Sequence, residues 1–121
     1  MNTKQKIGSE RMNKYRNKKI IIDGIKFDSI AEGSRYKELK LLEKGKYITE
    51  LKLQPKFELQ EKYTNAKGKH IRAITYRADF SYIENEKLIV EDVKGMETKE
   101  FKLKKKLFEY KYKNIDFRLI K

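Results

Sequence analysis

The spacing of apolar residues changes several times along this 121-residue chain, and each change marks an element. In KKIIIDGIKFDS, two short apolar runs flank Asp23-Gly24, a dipeptide suited to the left-handed backbone of a two-residue turn, so a β-hairpin is expected. Ser29-x-x-Glu32 fits a capping box, and Ile30, Leu39 and Leu42 recur at helical spacing as far as Gly45, which predicts a helix over 29–44. From Tyr47 to Tyr63 the pattern is strand-like but split by Pro55, which predicts two short strands or one bent edge strand, because proline has no N–H to give a ladder. TNAKGKH reads as a turn. Residues 71–83 alternate, so Ile74, Tyr76, Ala78, Phe80 and Tyr82 are expected on one face. Glu84-Asn85-Glu86 is a second turn, and Leu88–Lys94 a strand. A lysine-rich helix is expected from Thr98 to about Lys113, with Phe101, Leu107, Phe108 and Tyr112 as its apolar positions, and IDFRLI is a last strand.

This order predicts an α/β (α+β) fold, a small central mixed sheet with helices, preceded by the hairpin. The strands on either side of Glu84-Asn85-Glu86 are joined tightly enough to be antiparallel neighbours. Residues 1–19 carry seven Lys/Arg against one Glu and read as a basic, flexible arm, leaving 20–121 as one domain.

Charge bears on partners more than on fold. Lys and Arg number 31 against 18 acids, a formal net charge of +13, which points to nucleic acid first and an anionic membrane surface second. No apolar run approaches the roughly 18–20 residues that a membrane span needs, and MNTKQKIGSERMNKY lacks the apolar centre of a signal peptide. With no cysteine, disulfides and thiolate metal sites are excluded, and His70, the one histidine, has no partner for a histidine-based site. The expectation is a soluble protein of the cytoplasm, with DNA as partner and no membrane.

The candidate chemistry lies in the two middle strands. In VEDVKG, alternation sends Asp92 and Lys94 to one side and Val93 to the other. On the preceding strand Asp79 is expected opposite the apolar face, where it can meet Asp92 near one end of the hairpin. Two converging carboxylates repel, and a divalent cation relieves that; hard oxygen ligands suit Mg²⁺ or Mn²⁺. A lysine beside such a site can orient a water or offset charge building on a phosphate. Plainer roles stand beside these: Asp79 pairing with Arg77, Asp92 and Lys94 as a surface ion pair, and Glu32 as the capping acid alone. Glu91 ranks below Asp92 as a ligand, with a sheet edge or a bond to the helix as its other places; Gln54, before Pro55, can hydrogen-bond near the site or cap a bent strand, and the structural role is preferred.

Asp79 followed by Asp92-Val93-Lys94 resembles the PD-(D/E)XK signature of the restriction-endonuclease-like nucleases, with Ala78 where the strict signature has proline. The expected α-β-β-β-α-β order resembles that superfamily's core. Over roughly residues 14–112, KYRNKKIIIDGIKFDSIAEGSRY, LQPKFEL, YRADFSY and VEDVKG resemble small phage and prophage nucleases of the Holliday-junction-resolvase type. The resemblance implies an Mg²⁺-dependent endonuclease hydrolysing DNA phosphodiester bonds to 5′-phosphate products and selecting branched DNA. It implies metal ligation by Asp79, Asp92 and the Val93 carbonyl, a supporting ligand in Glu32 on the first helix, and Lys94 as the residue that positions the attacking water. Cutting two strands of a junction symmetrically needs two sites, so a homodimer is expected.

The helix over 98–113 adds a DNA-facing surface, for which Lys99, Lys102, Lys105 and Lys106 are the candidates; a solvated helix face is the plain alternative. No base-reading module is recognisable, so shape should matter more than sequence. The rival readings are a non-catalytic DNA-binding accessory protein, and a nicking or restriction-type nuclease acting on linear DNA.

Overall fold

The structure, a computed structural model, describes residues 18–121. The expected basic arm lies outside the described residues apart from Lys18 and Lys19, which are exposed and carry no regular structure. By its internal contacts the chain divides into two compact units, one ending at Leu41 and the other running from Leu42 to Lys121.

The first unit opens with the predicted hairpin. Strands β1 (Ile20–Ile22) and β2 (Ile25–Phe27) pair antiparallel with Ile22 opposite Ile25. The turn between them has φ 54° at Asp23 and 76° at Gly24, the doubly left-handed backbone whose twist matches a two-residue hairpin. Helix α1 (Ile30–Lys44) starts where the capping pattern placed it: Ser29 Oγ accepts the Glu32 N–H at 3.1 Å. The helix seats on the hairpin through Gly33, where an added Cβ would lie 2.9 Å from Ile22 Cδ1 and 3.0 Å from Ile20 Cγ2. Phe27 and Tyr36 stack at 4.9 Å between centroids, and the Tyr36 hydroxyl donates to Asp23 Oδ2 at 3.0 Å, tying the helix to the turn.

The second unit is built on a four-stranded mixed sheet of order β10-β9-β8-β3, formed by β3 (Thr49–Leu53), β8 (Phe80–Glu84), β9 (Lys87–Val93) and β10 (Asp116–Ile120). Strands β8 and β9 are antiparallel neighbours joined at Asn85-Glu86, with φ 52° and 64°, as the tight turn predicted. Strand β10 runs parallel to β9, reached through α2 (Lys99–Lys111). Pro55 divides β3 from β4 (Lys56–Gln60), and Gln54 takes φ 52° at the break. Strand β4 pairs with β7 (Ile74–Arg77) in a two-stranded sheet of its own. The segment expected to be only a turn is a short ribbon, β5 (Tyr63–Thr64) with β6 (His70–Ile71). The α-β-β-β-α-β order is therefore present as α1, β3, β8, β9, α2, β10, within an α/β fold.

Helix α2 covers one face of this sheet. Thr98 caps it, with Oγ1 accepting the Phe101 N–H at 3.1 Å. Phe101 and Phe108, one face apart by seven residues, bury against Tyr76, Ala78 and Val90, with Phe57 and Phe117 packed around them. The rings meet edge-on or tilted, at 4.9 Å for Phe57–Phe108 and 5.6 Å for Tyr76–Phe108, the arrangements that aromatic quadrupoles favour. Leu107, expected in this core, is 39% exposed; it lies 100° around the helix from Phe108 and so turns to solvent.

One expectation fails at the point that matters for the site. Phe80 pairs with Glu91 and Tyr82 with Ile89, so these four share a face of the central sheet. Tyr76 and Ala78 instead cluster with Val90, which alternates to the other face. The five residues predicted to share one face are thus split by a break in the strand at Ala78-Asp79, between β7 and β8. Such breaks re-aim a side chain, and the one re-aimed here is Asp79.

Candidate functional site

The break fixes the Asp79 backbone from both sides. Its N–H donates to the Glu91 carbonyl at 3.1 Å, and its own carbonyl accepts the Gln54 N–H at 2.9 Å. The side chain is half-buried and points to the end of β9, where Oδ2 accepts the Val93 N–H at 2.7 Å. Gln54 meets Asp79 through its backbone N–H, in the left-handed conformation it takes just before Pro55.

Asp92 sits beside Val93 and faces the α2 side of the sheet. It is 2% exposed, and Oδ2 accepts a hydrogen bond from the Tyr76 hydroxyl. Oδ1 lies 3.8 Å from Lys94 Nζ. The Lys94 side chain is 34% exposed, and its ammonium rests 4.9 Å from the centroid of the Phe101 ring. The first buried residue of α2 thereby helps hold the lysine against the carboxylate. The Lys94 N–H donates to the Ile120 carbonyl at 3.0 Å, which anchors the end of β9 to β10.

Tyr76 joins the two acids. Its phenol is pushed well above the usual tyrosine range, first by burial, then by its hydrogen bond to Asp92, then by the charges of Asp92 and Asp79. Asp79, bonded to the Val93 N–H, and Asp92, the residue before Val93, thus stand at the same end of the β8–β9 hairpin. Sequence reasoning missed Tyr76 as part of the site. The signal was its residue type: a tyrosine at a core position of a strand needs a partner for its hydroxyl, where phenylalanine would not.

Glu91 is separated from this cluster. It is wholly buried on the opposite face, where its carboxylate accepts a hydrogen bond from the Tyr82 hydroxyl. Glu32 lies in the other unit, buried in the first turn of α1, with its N–H on the Ser29 cap. Among the described residues no three Asp, Glu, His or Cys side chains converge as a metal site. Asp79 and Asp92, with the Val93 carbonyl at the same strand end, are the donors present for a cation. Two carboxylates suit Mg²⁺, which keeps several waters and takes one or two protein carboxylates beside substrate phosphates.

The four candidate lysines of α2 differ in setting. Lys99, Lys102 and Lys106 are exposed. Lys105 leans inward, 5.5 Å from the Phe117 ring centroid and 3.7 Å from Glu109, so it is the least available to a phosphate. No helix among the described residues is long and apolar enough to cross a membrane.

The chain belongs to the family described as protein of unknown function (DUF1064), which it matches over residues 12–121. No curated protein and no solved structure matches it.

Proposed function

We propose that this protein is an Mg²⁺- or Mn²⁺-dependent DNA endonuclease of the PD-(D/E)XK kind, with Asp79, Asp92 and Lys94 at its centre. The observation that carries the reading is the grouping of two carboxylates and a lysine around one strand end, on a fold with the element order that this kind of nuclease uses. Burying Asp92 costs stability, and a fold does not need a carboxylate there to pack. The Val93 N–H orients Asp79 and the Tyr76 hydroxyl orients Asp92. These two side chains and the Val93 carbonyl would hold the metal, whose chemistry when bound is to make water nucleophilic and to stabilise charge on a phosphate. Lys94 holds its ammonium at the same place, where it orients a water and offsets negative charge as the phosphodiester is attacked.

A second reading, a DNA-binding accessory protein without catalysis, is favoured by one observation: Asp92 has partners within the chain, Tyr76 and Lys94, that offset its burial without a metal. Metal binding separates the two, since the accessory protein has no need of it.

For substrate we favour branched DNA, four-way junctions above all, cut by a homodimer whose two sites match the junction's near two-fold symmetry. The test is incubation with Mg²⁺ and equal amounts of labelled junction, flap and linear duplex of matched sequence. Paired symmetric nicks in the junction, well ahead of duplex cutting, are expected. Equal rates on all three, or cutting at one duplex sequence, would move the protein to a general or restriction-type nuclease; no cutting would favour the accessory protein.

A further inference from the structure

The ribbon β5–β6 has no part in the site described above, yet its construction is specific. Between residues 61 and 72 it carries Lys62, Lys67, Lys69 and Arg72 against Glu61 alone. All but Asn65 and Ile71 of these twelve residues are exposed. None of the ion pairs formed among the described residues involves the four cations, whereas Lys104, Lys105 and Lys111 of α2 each lie within 4 Å of a glutamate. The most lysine-rich helix is thus partly neutralised, and the ribbon is not.

The tip is also ordered in advance. Asn65 Oδ1 accepts the N–H of Lys67 at 2.9 Å and of Lys69 at 3.0 Å, and the Asn65 N–H and carbonyl bond Lys69 and Gly68. Gly68 supplies the left-handed residue, with φ 79°. Four hydrogen bonds through one asparagine therefore fix the backbone that carries Lys67 and Lys69, which lowers the backbone entropy lost on binding. Thr64 Oγ1 and His70 Nδ1, 3.0 Å apart, tie the two strands together on one face. Tyr63, 50% exposed, stands opposite Ile71 on the other.

We propose that this ribbon is an arm that docks in the major groove of duplex DNA, with its cations on phosphates. The major groove, about 12 Å wide, admits a two-stranded ribbon. From Lys69 at the tip to Arg72 at the base is three residues, about 10 Å of extended strand. Tip and base cations can therefore reach the phosphates on the two walls of one groove, while Tyr63 lies against sugar or base edges between them. The contacts are to backbone, so the arm adds affinity and orientation and little sequence preference. This rests on the DNA-directed reading above but uses none of the candidate catalytic residues.

The test is binding of a fluorescent duplex in EDTA, without cleavage, over a range of salt concentrations. The variant carries Lys62→Gln, Lys67→Gln, Lys69→Gln and Arg72→Gln together, with its thermal melting compared to the wild type. A second variant, Lys67→Gln with Lys69→Gln, covers the case in which the fourfold change disturbs folding. The slope of log affinity against log salt should fall by about 3–4 for the fourfold variant and by about 2 for the pair, since each lost phosphate contact removes about 0.9. Tyr63→Ala should weaken binding at every salt concentration with the slope unchanged. An unchanged slope in both lysine variants overturns the proposal. So does a wild-type chain that binds no duplex, or ribbon-dependent binding seen only on phosphatidylserine vesicles. Duplex binding through the ribbon by a chain that cuts nothing in Mg²⁺ leaves the arm standing and removes the nuclease reading instead.

Discussion

The Tyr76 hydroxyl reaches out of the aromatic core to hold Asp92, so the more buried of the two candidate ligands is positioned by a residue that also packs against Phe101 and Phe108. Core and site are coupled through one side chain. Tyr76→Phe keeps the ring and removes the donor, leaving a buried carboxylate with one partner fewer. It should cost about 1–3 kcal/mol in denaturant unfolding and change the Mg²⁺ concentration needed for half-maximal cleavage. An unchanged stability together with an unchanged Mg²⁺ requirement would show that the hydroxyl positions nothing.

The same pair predicts a pH dependence. In the unfolded chain the tyrosine ionises near pH 10, and in the folded protein its phenol is held above that. Folding therefore favours the protonated phenol: this contribution is fully present below about pH 10 and is lost as pH rises toward the folded value. Denaturation midpoints measured from pH 8 to 11 should fall more steeply above pH 10 for the wild type than for Tyr76→Phe. Parallel curves would contradict the burial and charge effects that raise the group.

Ser29 and Glu32 test two readings of one helix start. Ser29→Ala removes the acceptor for the Glu32 N–H and should cost about 0.5–2 kcal/mol of stability with cleavage unaffected. Glu32→Gln keeps the size and hydrogen-bonding capacity of the side chain and removes its charge. A clear loss of cleavage with stability retained assigns Glu32 to the metal, as the resemblance implies; a stability change alone assigns it to the cap.

Gly33 is the contact through which α1 sits on the hairpin. Alanine there gains helix propensity of about 1 kcal/mol, which offsets the displacement of the Ile22 and Ile20 methyl ends. Valine has no such gain and adds bulk, so Gly33→Val should destabilise by about 1–3 kcal/mol by thermal or denaturant unfolding. A variant as stable as the wild type would mean that the hairpin and helix do not pack as closely as described.

Much of this was legible in the sequence because it is local. Asp23-Gly24 can adopt the left-handed turn, Ser29 can cap, and Pro55 must break a ladder; each acts within a few residues and each feature is present. The order of elements followed from the same signals. The break at Ala78-Asp79 was not legible, because Ile74, Tyr76, Ala78, Phe80 and Tyr82 keep a perfect alternation through it. The face switch is imposed from outside, by Pro55 and Glu91 carbonyls that take the Ala78 and Asp79 N–H groups. The partners of Tyr76 and Tyr82 were hidden for a related reason: a hydroxyl's acceptor sixteen or nine residues away depends on strand register, which alternation alone does not set. The ribbon escaped because a strand of two residues has no period to read.

The central claim is that Asp79 and Asp92 bind a cation and cut DNA with it. It is tested most directly by following Mg²⁺-dependent cleavage of a labelled four-way junction by the wild type, Asp79→Asn, Asp92→Asn and Lys94→Ala, each first shown to be folded and to bind the junction in EDTA. Wild-type cleavage that needs Mg²⁺ or Mn²⁺, and its loss by at least 100-fold in all three variants with binding retained (about 2.7 kcal/mol or more of transition-state stabilisation), is the predicted result. Cleavage by Asp92→Asn at the wild-type rate, or no metal-dependent cleavage by the wild type, would contradict it.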